Sequence, residues 1–273
     1  ATRMDFAIAR SPEMCRGALA RALRELSPQW DLCALNGVPA ASQTCSFPLG
    51  AELRGLQTAA SEVPCLEPQG QDWEQYLAGR GRSFRYWLRR TEQRAQSAGL
   101  GPVTRVTDAA ELKATLPALA RVCGASWKAE GDRGLFSDSS ATARFLRDYL
   151  QCASDWGKVL LTTLAQADQV VAYHLSFFHS GKLWFYDTAY DQYYEQAAPG
   201  FQLFADMIRT GFDAGVARID LGPGLHPYKL RWAEAREARA NWLGFHGGWR
   251  SRLLANGAQA ALSLRRRANR GKS

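Results

Sequence analysis

Three stretches of the sequence put reactive side chains where neighbouring elements could use them. In DLGPGLHPYKLRWA, residues 220–233, the strand-like segment from Ala217 to Leu221 ends in Gly-Pro-Gly. His226, Tyr228, Lys229 and Trp232 follow. Gly222 and Gly224 permit backbone conformations closed to other residues and let a ligand approach the main chain. His226 offers an imidazole. Lys229 supplies a cation for a phosphate or an oxyanion. Tyr228 and Trp232 offer apolar walls, and Tyr228 adds a phenol. The same residues also read as turn glycines, a surface lysine and core aromatics.

The second stretch is a hairpin, QVVAYHLSFFH (169–179) and KLWFYDTAY (182–190). A turn at Ser180-Gly181 sets Phe178 against Leu183, Ser176 against Phe185 and His174 against Asp187. Directly opposed side chains have Cβ atoms ~4.5–5.5 Å apart. His174 and Asp187 then form either an oriented base, with the carboxylate raising the imidazole pKa, or a buried structural pair. A β-bulge would break this register. The third stretch is PGFQLF, which places Pro199 in the first turn of a helix with Gly200, Phe201 and Gln202 behind it. Unpaired amides at such a start can hold phosphate, and ordinary helix entries look the same. Arg85, Arg89 and Arg90 lie about a turn apart around Trp87, forming an anion-binding or simply solvated face. Trp127 and Lys128 follow a helix. His179 and His246 read as exposed or structural.

The elements that must position these residues follow from periodicity and caps. Ser11-Pro12-Glu13 opens a helix whose apolar face includes residues 15, 19, 22, 23 and 26. A strand is expected near Asp31–Leu35, a loop over 39–46, a helix over 49–59 and a strand over 63–66, giving α-β-α-β. Asp72 caps a helix to Gly79, and a basic helix runs from Ser83 to Gly99. Val103–Val106 is a strand, and Asp108 with Glu111 has capping-box spacing before the next helix. The helix over 139–152 is expected to pack through Phe145, Leu146, Tyr149 and Leu150. An antiparallel meander spans 158–190, followed by an amphipathic helix from Pro199 to Gly215 and a strand over 217–221. A strand near 238–245 and a helix from Trp249 close the chain. This order is α+β.

Composition sets wider limits. Apolar residues make up 46% and charged residues 22%, enough for a sizeable core without disulfides or a metal. The net charge of +8 favours anionic partners without choosing among them. Part of it lies in Arg265, Arg266, Arg267, Arg270 and Lys272, a basic tail that reads as a solvated terminus or a peripheral membrane contact. The six cysteines form no CxxC and have no histidine at zinc-ligand spacing, so no metal is expected. Scattered thiols, no apolar run of ~18 residues and no leader point to the cytoplasm.

Five stretches in order carry a family resemblance: FRYWLRR (84–90), Ser126-Trp127, VVAYHLSFFHSGKLWFYDTAYD (170–191), APGFQLF (198–204) and IDLGPGLHPYKLRWA (219–233). Together they resemble the BioF2-like or CelD-like branch of the GNAT acetyltransferase superfamily, which is related to the FemAB peptidyltransferases. The resemblance covers roughly residues 70–250. It implies a GNAT-like twisted mixed, largely antiparallel sheet flanked by helices. It also implies two GNAT-like units, the first incomplete over 1–70, with an acyltransferase domain over 71–248 and a helix and basic tail over 249–273. Because the family carries a further N-terminal segment and the chain starts at Ala1, upstream sequence is expected to be missing.

The implied activity is acyl transfer to an amine, on a small-molecule or cell-envelope or exopolysaccharide precursor. The donor is acyl-CoA such as acetyl-CoA, or aminoacyl-tRNA in the FemAB manner. The phosphate signature Arg/Gln-x-x-Gly-x-Gly/Ala is absent, with Gln196–Gly200 a loose echo. The catalytic set is His174, Asp187, Tyr228 and Lys229, the Tyr228-Lys229 pair carried over from FemAB relatives. Pro199, Gly200, Phe201, Gln202, Gly222 and Gly224 are expected at the donor. Arg85, Arg89, Trp127, Lys128, His226 and Trp232 are expected at the acceptor. Two other classes remain open: a non-catalytic module on this fold that binds an anionic polymer or a protein, and a nucleic-acid-binding protein.

Overall fold

The computed structural model describes residues 12–42, 54–59, 62–129, 136 and 141–270. The chain divides into two compact units, residues 1–64, 223–226 and 236–273 in one and residues 65–222 and 227–235 in the other.

The first unit holds α1 (Pro12–Glu25), β1 (Cys33–Pro39), β2 (Arg54–Ala59), β10 (Arg239–Phe245) and α8 (Trp249–Arg270). Its three strands are antiparallel in the order β1-β10-β2. β10, expected to close a contiguous 71–248 domain, is thus the central strand here. β2 corrects the helix expected over 49–59, whose first five residues lie outside the described ones. The segment is rich in good helix formers, but Leu56 and Thr58 are half-buried with Gln57 exposed between them, a period of two. Pairing along β10 overrides the local propensity. The order of this region is therefore α-β-β-β once β3 is counted.

The remaining strands form a seven-stranded sheet in the order β4-β5-β6-β7-β8-β3-β9. They are β3 (Val63–Leu66), β4 (Thr104–Val106), β5 (Val159–Gln166), β6 (Gln169–His179), β7 (Lys182–Tyr190), β8 (Arg218–Asp220) and β9 (Ala235–Glu237). β4 to β7 are antiparallel, and β7 and β8 are parallel. The helices are α2 (Trp73–Gly79), α3 (Arg82–Ser97), α4 (Ala109–Gly124), α5 (Ala141–Asp155), α6 (Pro199–Asp213) and the single turn α7 (Pro227–Leu230). The caps expected at Asp72 and Asp108 form, while the one expected at Ser11 lies outside the described residues. Asp72 and Gln75 make a reciprocal capping box, and Asp108 accepts from the Glu111 amide at 2.8 Å. The Glu111 carboxylate turns to the Thr107 amide instead of the cap.

Two apolar cores lie on opposite faces of the sheet. On one face α6 buries Leu203, Phe204, Met207, Ile208 and Phe212, joined by Trp73, Tyr76, Leu88 and Trp232. On the other, Leu112, Leu119 and Val122 of α4 and Leu146 and Leu150 of α5 pack on Leu161, Tyr173 and Leu175. Phe145 and Tyr149, expected in the α5 seam, are exposed and stack on each other at 5.9 Å. This is an α+β fold with a largely antiparallel sheet flanked by helices.

Candidate active site

β7 and β8 pair over only three positions, from Lys182 with Arg218 to Trp184 with Asp220. β8 then ends while β7 runs on to Tyr190. The edge of β7 from Phe185 to Tyr190 has no strand partner on that side among the described residues. β8 stops because the Asp220 carboxylate accepts from the Gly222 amide at 2.8 Å, which turns the chain at φ +83°. A Cβ at Gly222 would sit 2.6 Å from Phe185 Cδ1 and 3.1 Å from Lys229 Nζ, so only glycine fits. Lys229, expected as a cation for a phosphate or an oxyanion or else as a surface lysine, is buried in this opening with its ammonium 5.1 Å from the Phe185 ring centroid and 5.8 Å from that of Tyr228. Tyr228 is half-exposed, lies edge-on to Phe204 at 5.4 Å, and burial of its phenol pushes its pKa up to about 12.

The His174–Asp187 pair does not form. The hairpin register holds from His179 to Ser176, then a bulge inserts Tyr186, so His174 opposes Thr188 and Asp187 opposes Leu175. One extra residue sends Asp187 to the other face of the sheet. His174 is fully buried on the α6 side between Phe185 and Phe204, and its Nε2 shares a 2.7 Å hydrogen bond with Ser176 Oγ. Burial, and secondarily the Lys128 charge, lowers its pKa to about 3. Sealed from solvent, lowered in proton affinity and without the expected Asp187 partner, the ring is a weak base out of substrate's reach, so the catalytic role expected of the His174–Asp187 pair loses its basis.

Asp187 gains other partners on the α4–α5 side. The Tyr173 hydroxyl, a diagonal neighbour across the strand pair, donates to Oδ2 at 2.8 Å, and the Lys128 ammonium pairs with Oδ1. Burial first, then the Asp187 charge, holds the Tyr173 phenol far above its usual pKa, so it stays a donor. Lys128 is placed by the turn after α4, where its amide donates to Ser126 Oγ, itself bonded to the Cys123 carbonyl. Trp127 is partly exposed beside them and packs on Tyr190 at 4.7 Å. In the sequence Tyr173 carries no mark beyond its place beside His174. Alternation along β6 with the bulge counted would have put it beside Asp187.

At the start of α6 the backbone turns through Ala198 at φ +52°. The amides of Phe201 and Gln202 fold back onto the Ala198 carbonyl at 3.0 and 3.4 Å. Pro199 has no N–H, which leaves Gly200 as the one amide of that turn with no acceptor among the described residues. Gly200 also lies against Tyr190, 3.0 Å from where its Cβ would be. The buried side-chain Nε2 of Gln202 has no hydrogen-bond partner among the described residues. Trp232, expected at the acceptor, is fully buried and stacks with Phe201 and Trp73, so it is core. Arg85 and Arg89 are exposed on α3, Arg85 bonding the Ala78 carbonyl at 3.3 Å. Gly224 and His226 fall in the first unit, packed against each other. Among the described residues no cluster of His, Cys, Asp and Glu could hold a metal, and no helix is long and apolar enough to cross a membrane.

Residues 82–230 match the family model described as acetyltransferase (GNAT) domain. The chain belongs to that family. The GNAT domain so defined takes in β4 to β8 and the α6 and α7 helices, hence every residue of the opening. No curated protein matches the chain. Solved structures agree in fold at low identity. The C-terminal domain of a protein named as a lysylphosphatidylglycerol synthetase from Agrobacterium fabrum superposes with a TM-score of 0.62 at 13% identity, over 93% of this chain and 77% of that one. L-PGS from Bacillus licheniformis gives 0.57 at 14%, over 86% and 74%. FemX gives 0.57 at 10%, over 89% and 79%. The fold is thus that of the FemAB-related GNAT proteins.

Proposed function

We propose that this GNAT-family chain, of the BioF2-like or CelD-like kind, is an N-acyltransferase that moves an acyl group onto an amine at the open edge of β7. The observation that carries this is the parting of β7 from β8 after Trp184 and Asp220, with Lys229 seated in the gap and Asp187 at the bulge on the far face. An open strand edge offers amides and carbonyls to an extended, amide-bearing chain. The arm of an acyl-CoA such as acetyl-CoA has that chemistry, and the Gly200 amide beside Tyr190 supports its phosphates lying near the start of α6.

In this reading the acceptor amine enters beside Trp127 and Lys128, on the face that holds Asp187. Its nitrogen attacks the thioester carbonyl, forming the C–N bond. The ammonium proton of the adduct passes to the Asp187 carboxylate, with which the amine competes against Lys128. The C–S bond then breaks, the departing sulfur takes the proton of the Tyr228 phenol, which is protonated at neutral pH, and the proton held by Asp187 returns to Tyr228 through solvent. Lys229 offsets negative charge in the opening. Arg85 and Arg89 draw anionic substrates toward it. The five described cysteines are free thiols, which supports a cytoplasmic setting.

One observation favours aminoacyl-tRNA as the alternative donor: α3 carries Arg82, Arg85, Arg89, Arg90 and Arg94 against a single acid, Glu92, in a chain of net charge +8. The name of the Agrobacterium neighbour describes joining a lysyl group to a lipid, and a cell-envelope or exopolysaccharide precursor is the acceptor class we infer here. Incubation with acetyl-CoA and with charged tRNA separates the donors. Protection from thermal unfolding by CoA and not by tRNA is expected. Loss of no biological function in Lys229→Ala would instead favour a non-catalytic module.

A further inference from the structure

α8 packs on β2 and β10 with its smaller side chains. Ser251 and Ala255 are buried, and Ala258 and Leu262 are half-buried. The Ser251 hydroxyl donates to the Asp31 carbonyl at 2.6 Å and accepts from the His246 amide at 2.8 Å. One flank of the helix is polar, where Arg54 of β2 donates to Asn256 at 3.2 Å and to Gln259. Most of the large apolar side chains point away from the sheet. Trp249 is 70% exposed, Leu253 63% and Leu264 64%. At about 100° per residue these three fall within about 60° of one another, and Ala260 lies along the same stripe. A helix that only packs on a sheet buries its large apolar residues and turns polar ones to water. Here the arrangement is largely reversed, and an exposed apolar stripe of this kind marks a contact surface.

The charge of the same segment narrows what that surface meets. From Trp249 to Ser273 the sequence has six arginines, one lysine and no acid. Arg250 and Arg252 are exposed, and the Arg250 guanidinium lies 5.3 Å from the Trp249 ring centroid. We propose that α8 docks on a bilayer rich in anionic phospholipid. It would lie in the plane of the surface, with Trp249, Leu253 and Leu264 at the acyl boundary and the cations against headgroup phosphates. A second copy of this chain docking face to face would bring two acid-free cationic segments together. A nucleic acid would meet the arginines and leave the leucines in water. An anionic bilayer answers both features, and tryptophan favours its polar–apolar boundary. α8 is not apolar enough to cross the bilayer, so it rests on it. This inference is independent of the acyl-transfer reading.

The test is co-sedimentation of the full chain with vesicles of phosphatidylcholine alone and of phosphatidylcholine with phosphatidylglycerol, at low and high salt. Wild type is compared with the Trp249→Ser/Leu253→Ser double variant, whose folding is checked by circular dichroism. Both substituted side chains are exposed, so the fold is expected to survive. The expected result is binding to the anionic vesicles that weakens with salt and falls about tenfold or more in the double variant. Neutral vesicles should bind far less. Equal binding of the double variant to anionic vesicles would mean that a basic protein adheres by charge alone, and would overturn the proposal. So would an absence of binding to any vesicle. Sedimentation velocity without lipid covers the remaining occupant: self-association lost in the double variant would give the stripe to a second copy and overturn the bilayer. A chain that transfers acyl groups but ignores vesicles loses this surface and keeps the activity. A chain that binds vesicles through Trp249 and Leu253 without transferring acyl groups does the reverse.

Discussion

The Tyr173 hydroxyl donates to Asp187 Oδ2 at 2.8 Å, on the face of the sheet opposite the one that seals His174. The bulge at Tyr186 creates this division. It leaves a nearly buried carboxylate on the α4–α5 side of the sheet and a fully buried imidazole on the α6 side.

Asp187→Asn keeps the shape and the Tyr173 bond but removes the proton acceptor. Turnover is expected to fall about 10²–10⁴-fold, the usual worth of a general base. Steady-state kinetics on folded protein check this. Turnover within a factor of a few of wild type would remove Asp187 from the mechanism.

His174 makes stability depend on pH. Its folded pKa of about 3 lies below the unfolded value of 6.5. Protons bind the unfolded chain first, so its contribution is present above about pH 6.5 and is lost as the pH falls toward 3. The slope approaches about 1.4 kcal/mol per pH unit below pH 6. Urea unfolding of wild type and His174→Asn at pH 7 and pH 4.5 isolates it. The wild type is expected to lose more stability on acidification than the variant. Equal losses would mean that the ring is reached by solvent.

Much of this fold can be read from the chain because local signals agree with tertiary ones. The Asp72 and Asp108 caps, the Ser180-Gly181 hairpin and the apolar stripe of α6 each specify their element alone. What escapes is set at a distance. β2 is a strand only because β10 pairs with it. The bulge at Tyr186 has no local sequence mark, and a single unseen residue reversed the partner of Asp187. Lys229 stands out in the sequence only through the family resemblance, and its burial beside Phe185 has no local sign. The contact of Arg231 with Trp87 joins residues 144 positions apart in sequence, beyond the reach of periodicity.

Trp232 is fully buried in the aromatic core on the α6 face. Trp232→Ala should cost about 3–5 kcal/mol, as large aromatic truncations in cores do. Trp232→Phe should cost less. The urea midpoint at constant m-value reports both. A variant as stable as wild type with altered acceptor selectivity would return Trp232 to the site.

Gly222→Ala must move Phe185 and hold a side chain at φ +83°. A stability cost of about 1–3 kcal/mol is expected. Lys229→Met retains the buried stem without the charge and should lower kcat/KM about 100-fold. Thermal unfolding and kinetics separate the two effects. An active Lys229→Met would show that the lysine only fills space.

The most direct measurement of the account is a crystal structure of the chain with CoA bound. The sulfur is predicted beside the β7 edge between Phe185 and Asp187, with Lys229 next to it and the phosphates toward Gly200. A sulfur lying away from that edge, with the β7 amides from Phe185 to Tyr190 untouched, would contradict acyl transfer at the opening between β7 and β8.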